Sequence, residues 1–458
     1  MLQQIAFALL TVTCSYWAFK QFSKIRRNIL LGKDEDLTDQ EGKRWKNVLL
    51  IAFGQKKMFK RIVPAVFHLF IYVAFLFTQI ELIEIFIDGF FGQHRFFAPY
   101  LGILYPIIIS TIEILSVLAF VATFVFLARR NLLKVPRLVK LEMNGWPKID
   151  GNLILFGELA LLFGIFCMNG ADVVLQGLDP EHYYDPGIFA ISEWMGPLVF
   201  GWMGEGMLHF VERFGWWLHI ITVFAFLNYL PSSKHLHIML AFPNTFYARL
   251  NPSGEMQNMP EIMDEVKSMM GLTDGPEPDM SSDAELPEFG ANDVFSLSWK
   301  NIMDAYTCTE CGRCTSVCPA NLTGKKLSPR KILMDIRDRA TEIGDNLDTG
   351  HPKYMKESLR GKEALKPSNY DDGKNLFDYI SREEIHACTT CNACVEACPV
   401  LINPLDPILR LRRYEILTES AGPQEWLPMF NAIENSGSAW QIPDPRDKWA
   451  TDATNNNA

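Results

Sequence analysis

The sequence has no Gly-x-Gly-x-x-Gly fingerprint and no Gly-x4-Gly-Lys-[Ser/Thr] loop, and the Gly324-Lys325 pair lacks the glycine-rich run that would precede it. Flavin, nicotinamide or nucleoside triphosphate chemistry would therefore have to come from another chain. There is no basic excess either: 43 Lys and Arg stand against 53 Asp and Glu, which excludes the electrostatic footprint of a nucleic-acid binder. Lys and Arg are absent between Lys148 and Arg213, and no two of the ten cysteines are adjacent. The opening Met1-Leu2-Gln3-Gln4 carries no basic residue and no small-residue cleavage site follows. Residues 1–20 are therefore expected to be kept as a helix, not removed as a signal peptide.

What the chain does have is one cysteine pattern used twice: Cys308, Cys311, Cys314, Cys318-Pro319 and Cys388, Cys391, Cys394, Cys398-Pro399. This C-x2-C-x2-C-x3-C-P run is the bacterial ferredoxin spacing, in which three thiolates grip one [4Fe–4S] cluster and the fourth crosses to the other. Structural zinc calls for two C-x2-C pairs, not four thiolates and a proline repeated twice. The crossing rule assigns Cys308, Cys311, Cys314 and Cys398 to the first cluster, and Cys388, Cys391, Cys394 and Cys318 to the second. Between the runs lie 69 residues. Lys331–Arg337 and Asn375–Ile380 within them read as helix, so an α-helical ferredoxin type is expected. Cys14 and Cys167 sit in apolar runs as small buried hydrophobes and receive no redox role.

Apolar residues concentrate in the first 230 positions, with candidate membrane spans near 2–20, 62–87, 100–128, 150–177 and 213–231. Twelve Lys and Arg lie in 20–61 and six in 129–148, and basic loops face the cytoplasm. The expected topology is a multi-pass protein of the bacterial inner membrane, N-terminus outside, with the cysteine runs in the cytoplasm. Free thiolates suit that reducing compartment. The expected fold is all-α: a five-helix transmembrane domain (1–245), a linker (246–292), a two-cluster ferredoxin-type domain (293–420) and a tail (421–458) for partner contact. The linker holds the acidic run Gly275–Asp283 and one short amphipathic helix whose Met259, Met263, Val266, Met270 stripe reads as a packing face.

Ionisable groups at membrane depth default to a functional reading. The second span opens Arg61 to His68, and the fifth reads Trp216-Trp217-Leu218-His219 on to Pro231-Ser232-Ser233-Lys234-His235-Leu236-His237. His219 and His237 are eighteen residues apart, five turns of a continuous helix, which would put them on one face. This Phe-His and His-x11-Pro-x-Ser-Lys-x2-His pattern resembles the membrane (gamma) subunit of respiratory nitrate reductase and its heterodisulfide reductase relatives, over about residues 1–245. The resemblance implies b-type haem held by His68 with His237, and His219 is the alternative ligand. It departs from the family at Thr78, where a second histidine of that helix belongs. His235 reads as interfacial, His94, His182 and His209 as outer-surface groups, and His351 and His386 as surface residues.

Four acids fall within the spans. Glu81 and Glu84 lie toward the outer interface, where solvation competes with function; Glu113 and Glu158, deeper, are the candidates for proton delivery to a quinone. Residues 290–445, through Cys308-Thr-Glu-Cys-Gly-Arg-Cys and Cys388-Thr-Thr-Cys-Asn-Ala-Cys, resemble the heterodisulfide-reductase-related Fe–S oxidoreductases, including membrane dehydrogenases that oxidise electron transfer flavoprotein. The resemblance implies an electron-transfer subunit linking a soluble donor, such as electron transfer flavoprotein, to membrane quinone. Lactate-type and glycerol-phosphate-type dehydrogenases are alternative donors. A membrane anchor with structural clusters is the alternative role. Relatives carry a Cys-Cys domain, expected here on a separate Fe–S subunit.

Overall fold

The computed structural model describes residues 1–252, 254–272, 289–440 and 447–455. Among the described residues the chain is all-α, with no strand and two isolated bridges, Lys33 to Ser298 and Met355 to Tyr370. Five helices are long and apolar enough to cross a membrane. These are α1 (Leu2–Ile29), α2 (Ile62–Phe91), α3 (Leu104–Leu127), α4 (Trp146–Leu178) and α6 (Glu205–Tyr229), with the short α5 (Ser192–Phe200) between the last two. Both α1 and α6 run beyond the expected spans. Lys20, Lys24, Arg26 and Arg27 are good helix formers, and Glu212 and Arg213 neutralise each other at 2.5 Å within α6.

Small residues allow α4 and α6 to cross closely. A Cβ on Gly215 would lie 2.6 Å from the Gly164 carbonyl oxygen, so α4 and α6 meet backbone to backbone, the packing that membrane helices use in place of a hydrophobic drive. At the end of the bundle remote from the cysteines, Phe7, Phe86, Trp216 and Phe224 fill the gap between α1, α2 and α6.

The helix after α6 is not continuous. Pro231, which has no N–H to donate, sits in a 3-10 turn; Ser233 is extended (φ −115°, ψ 153°), and α7 (His237–Phe246) starts afresh at His237. Asp150 of α4 fixes the break by accepting from Tyr229 Oη (2.5 Å), Ser233 Oγ (2.6 Å) and the Lys234 backbone N–H (3.1 Å). His219 and His237 therefore do not share one helical face, contrary to the expectation from their spacing.

The cysteine-bearing region is built on α9 (Trp299–Thr307), α10 (Pro329–Thr349) and α11 (Leu405–Arg413), followed by α12 (Trp426–Ser436). Ser298 caps α9 in a box with Asn301, and Gly350, at φ 62°, ends α10. Asn375–Ile380 makes only one 3-10 turn, Leu376–Asp378, because the Asn375 side chain caps it and Ser381 already caps the next helix. Ile29 and Leu31 at the end of α1 pack with Ile302, Tyr306 and Ile343 in one buried core. Each such apolar side chain contributes about 1.5–3 kcal/mol, so the membrane and cysteine regions are joined by a shared core.

Between them, α8 (Pro260–Met269) leaves Met263, Val266 and Met270 exposed. The stripe expected to pack thus meets no core among the described residues, and the acidic run Gly275–Asp283 lies outside them.

Candidate electron-transfer site

The two cysteine loops share a backbone device. Glu310 and Gly312 in the first loop (φ 53° and 67°) match Thr390 and Asn392 in the second (φ 56° and 59°), each pair flanking the middle cysteine. Alternating left-handed residues turn successive amides toward the inside of the curve, the concavity that binds anionic centres. Glycine adopts that conformation freely and asparagine tolerates it. Backbone N–H groups already reach sulfur: Thr390 to Cys388 Sγ at 3.4 Å and Ile402 to Cys398 Sγ at 3.3 Å.

The eight thiols fall into two electrostatic neighbourhoods. Cys308, Cys311 and Cys314 lie with Cys398, and Cys388, Cys391 and Cys394 lie with Cys318; the Cys314 thiol also faces Cys394. Burial, with neighbouring thiolates adding to it, pushes Cys308, Cys394 and Cys398 up to about 12. Thiols so disposed ionise when positive metal binds between them. The donor set of four sulfurs per group fits a [4Fe–4S] cluster. Cys391 is the exposed member of the eight. Cys14 and Cys167 lie elsewhere, each in an apolar cluster of the membrane bundle.

The first loop sits on the membrane bundle. Arg137 donates to the Cys311 carbonyl, Arg61 to Ser316 Oγ at 2.6 Å, and Arg313 to the Lys57 and Met58 carbonyls. Glu310, between Cys308 and Cys311, is paired with Lys234 and with Arg337 (2.8 Å), all three largely buried. The Lys234 carbonyl in turn accepts from His237 Nδ1 at 2.9 Å. A single residue thus joins a cysteine loop to a membrane histidine.

His68 and His237 face each other, with ring centroids 6.4 Å apart and planes inclined by 44°. His68 Nδ1 is 3.2 Å from Gln55 Oε1, and His219 Nδ1 is 3.1 Å from the Leu161 carbonyl. All three rings therefore have Nδ1 engaged, with no hydrogen bond to Nε2 among the described residues, the arrangement by which an outer partner orients a metal-binding imidazole. His235 lies beside His237, at 5.8 Å between centroids, and its buried Nδ1 has no hydrogen-bond partner among the described residues.

Burial would raise the Glu310 carboxyl, but Lys234 and Arg337 outweigh it and hold it below the ordinary range. Glu310→Gln would leave the Lys234 ammonium only the Asp150 carboxylate at 3.7 Å and the Pro147 carbonyl at 2.6 Å, and is expected to destabilise the junction by about 1–3 kcal/mol, the cost of an incompletely satisfied buried polar group. Adding Lys234→Met should restore part of that. Because the folded value is depressed, Glu310 contributes fully above the unfolded value of about 4.3 and loses its contribution as pH falls through the folded value. Calorimetric unfolding of wild type, single and double variants between neutral and acid pH measures both effects.

The four membrane acids have unequal surroundings. Glu113 accepts from the Ile191 and Ser192 backbone N–H groups (2.7 and 3.1 Å) and from Ser192 Oγ, so it caps α5 with both oxygens occupied. Glu158, half-buried on α4, has no polar partner among the described residues. Glu81 and Glu84 are buried, not solvated. Glu84 accepts from the Phe97 N–H and Tyr105 Oη, and Glu81 from Asn169 Nδ2. His94, His182 and His209 gather near Asp172 and Asp179 at the end remote from the cysteines. His351 caps a turn at Lys353, and His386 is 2.8 Å from Glu415. Sequence reasoning missed Lys234, Glu310, Asp150 and Gln55. The position of Glu310 inside the motif and of Lys234 three residues before His237 were the available signals.

A model of the 4Fe-4S dicluster domain matches residues 307–402. The chain is 27% identical over 443 residues to the "probable iron-sulfur-binding oxidoreductase FadF" of Bacillus subtilis, covering 93% of this chain and 57% of that protein. It is 23% identical over 453 residues to the EtfAB:quinone oxidoreductase of Syntrophomonas wolfei, covering 96% and 58%. To the "probable membrane-anchored ferredoxin" of Chromohalobacter salexigens it is 31% identical over 171 residues, covering 37% and 25%. No solved structure matches. The chain thus spans under three fifths of the length of its long curated relatives, and it is a homologue of these Fe–S oxidoreductases with a 4Fe-4S dicluster domain.

Proposed function

We propose that this chain is the electron-transfer part of a membrane-bound Fe–S oxidoreductase, carrying electrons between a cytoplasmic donor and quinone. The observation that carries the reading is the Lys234 bridge, which ties Glu310 of a cysteine loop to His237 of a facing imidazole pair. Two [4Fe–4S] clusters and a b-type haem, when bound, supply the one-electron steps between a two-electron donor and a two-electron acceptor. Cys308, Cys311, Cys314 and Cys398 hold one cluster; Cys388, Cys391, Cys394 and Cys318 hold the other. His68 and His237, whose ring centroids lie 6.4 Å apart, would hold the haem, which would supply one-electron chemistry there.

Exposed Cys391 marks the donor side and the Lys234 junction the membrane side. Beside the second loop, α12 packs Trp426 on His386 at 5.0 Å and presents Leu427, Phe430 and Ile433 outward, which supports partner contact there by a Cys-Cys-domain Fe–S subunit. The name of the Syntrophomonas relative favours reduced electron transfer flavoprotein as donor. The basic segments 20–61 and 129–148, which meet the cysteine region through Arg27, Lys60 and Arg137, would face the cytoplasm. Glu158, with no polar partner among the described residues, is the acid we assign to proton handling at a quinone; Glu113 serves as a cap.

Membranes holding this chain and its partner should reduce a menaquinone analogue when given the reduced flavoprotein, and Cys391→Ser should stop the transfer. Undiminished quinone reduction by a fully assembled Cys391→Ser complex would leave the clusters a structural role.

A further inference from the structure

At the end of the bundle remote from the cysteines, a continuous set of buried polar side chains leads inward from water. A polar cavity of about 290 Å³ opens there between Gln4, Asp88, His94, His182, Tyr183 and Arg213. His94 Nε2 lies 3.0 Å from Asp172 Oδ1. Arg95 donates to Asp172 Oδ2 (3.0 and 2.6 Å) and to Asn169 Oδ1 (2.9 Å), and Asn169 Nδ2 donates to Glu81 Oε1 (3.0 Å). The other oxygen, Glu81 Oε2, is buried and has no hydrogen-bond partner among the described residues, in a residue only 2% exposed. Glu81 lies ten residues before the end of α2 at Phe91, roughly 15 Å below that surface.

The charges around Glu81 do not balance. Arg95 is engaged by Asp172, which also accepts from His94 and Gln176 (3.4 Å), and Arg213 is engaged by Asp88 and Glu212. Glu84 on the same helix has two donors, one to each oxygen, and Glu113 on α3 has three. Glu81 has a single neutral donor. A buried carboxylate oxygen left bare is costly, and protonation removes most of that cost. Of the acids in this cluster, Glu81 is the one whose neutral form the surroundings favour, and the Asn169 amide holds it in either state.

We propose that Glu81 is a proton-transfer site, exchanging a proton with water that enters from the cavity at this remote face alongside the hydrogen-bonded His94–Asp172–Arg95–Asn169 set, which lines and orders the route without itself carrying the proton. In uptake, a carboxylate becomes a carboxylic acid, and the proton comes from the cavity beside His94; no electron is exchanged. This inference stands apart from the haem and quinone reading. It places a loadable proton deep in the bundle, supplied from the side opposite the cysteine loops.

Infrared difference spectroscopy of the full chain in nanodiscs, stepped between acid and alkaline pH, reads the site directly. A buried carboxylic C=O band that titrates in wild type should vanish in Glu81→Gln, shift in Glu81→Asp and persist in Glu113→Gln. In His94→Phe or Asp172→Asn its hydrogen–deuterium exchange should fall below the wild-type rate, because each change removes a group that orders the route. The proposal is overturned if no such band titrates in wild type, if the band survives Glu81→Gln, or if Glu81→Asp leaves it unmoved. Exchange at the wild-type rate in both His94→Phe and Asp172→Asn would overturn the route.

Discussion

Cys318→Ala is expected to abolish the same electron paramagnetic resonance signal as Cys391→Ala, although Cys318 belongs to the other cysteine run. The thiol of Cys318 lies in the electrostatic neighbourhood of Cys388 and Cys394, and Cys398 lies in that of Cys308 and Cys314. Cys311→Ala and Cys398→Ala should therefore form the second matching pair. Each variant should lose about half of the iron and acid-labile sulfide, because a cuboidal cluster needs its four thiolates. Cys14→Ser and Cys167→Ser should keep all of it. Signals that sort by run, with Cys318 grouped with Cys311, would refute the crossed assignment. Stoichiometric zinc without sulfide would refute the clusters.

The second large effect concerns the imidazoles. His68→Ala and His237→Ala should each eliminate the b-type absorbance of dithionite-reduced membranes, since each removes one of the two imidazoles that would hold the haem. His219→Ala should retain it, because no imidazole faces His219 within the aromatic contacts of the described residues, whereas His68 and His237 face each other. Gln55→Leu should broaden or weaken the band without removing it, as loss of an outer partner lowers metal affinity by about 10- to 100-fold. Loss with His219→Ala and retention with His237→Ala would move the ligand by five turns of sequence and break the bridge through Lys234.

How legible these features were in the sequence depended on the range of the interaction that made them. The cysteine spacing is local, so both runs could be read without a fold. The crossing of Cys318 and Cys398 followed from a rule about that spacing. Hydropathy is likewise local, and the five apolar helices appear where expected, with ends that moved wherever a polar residue found a partner, as Glu212 did in Arg213. The break at Pro231 was written in the chain, but its consequence was not. Asp150, from another helix, holds Ser233 and Lys234, and only that contact shows that His237 leaves the axis of α6.

Pairings distant in sequence were out of reach. Lys234 and Glu310 are 76 residues apart and Asn169 and Glu81 are 88 apart, and no periodicity encodes such contacts. For the same reason Glu113, deep in its span, read as a proton carrier, and the fold makes it the cap of α5.

The central claim is an ordered transfer from the cysteine loops to the membrane histidines. Stopped-flow mixing of the oxidised complex with its reduced donor, read at cluster and haem wavelengths together, tests it most directly. Cluster bleaching should precede the rise of reduced haem in wild type, and in Cys311→Ser the haem should stay oxidised while the Cys388 group still bleaches. Haem reduction at the wild-type rate in Cys311→Ser would contradict the account.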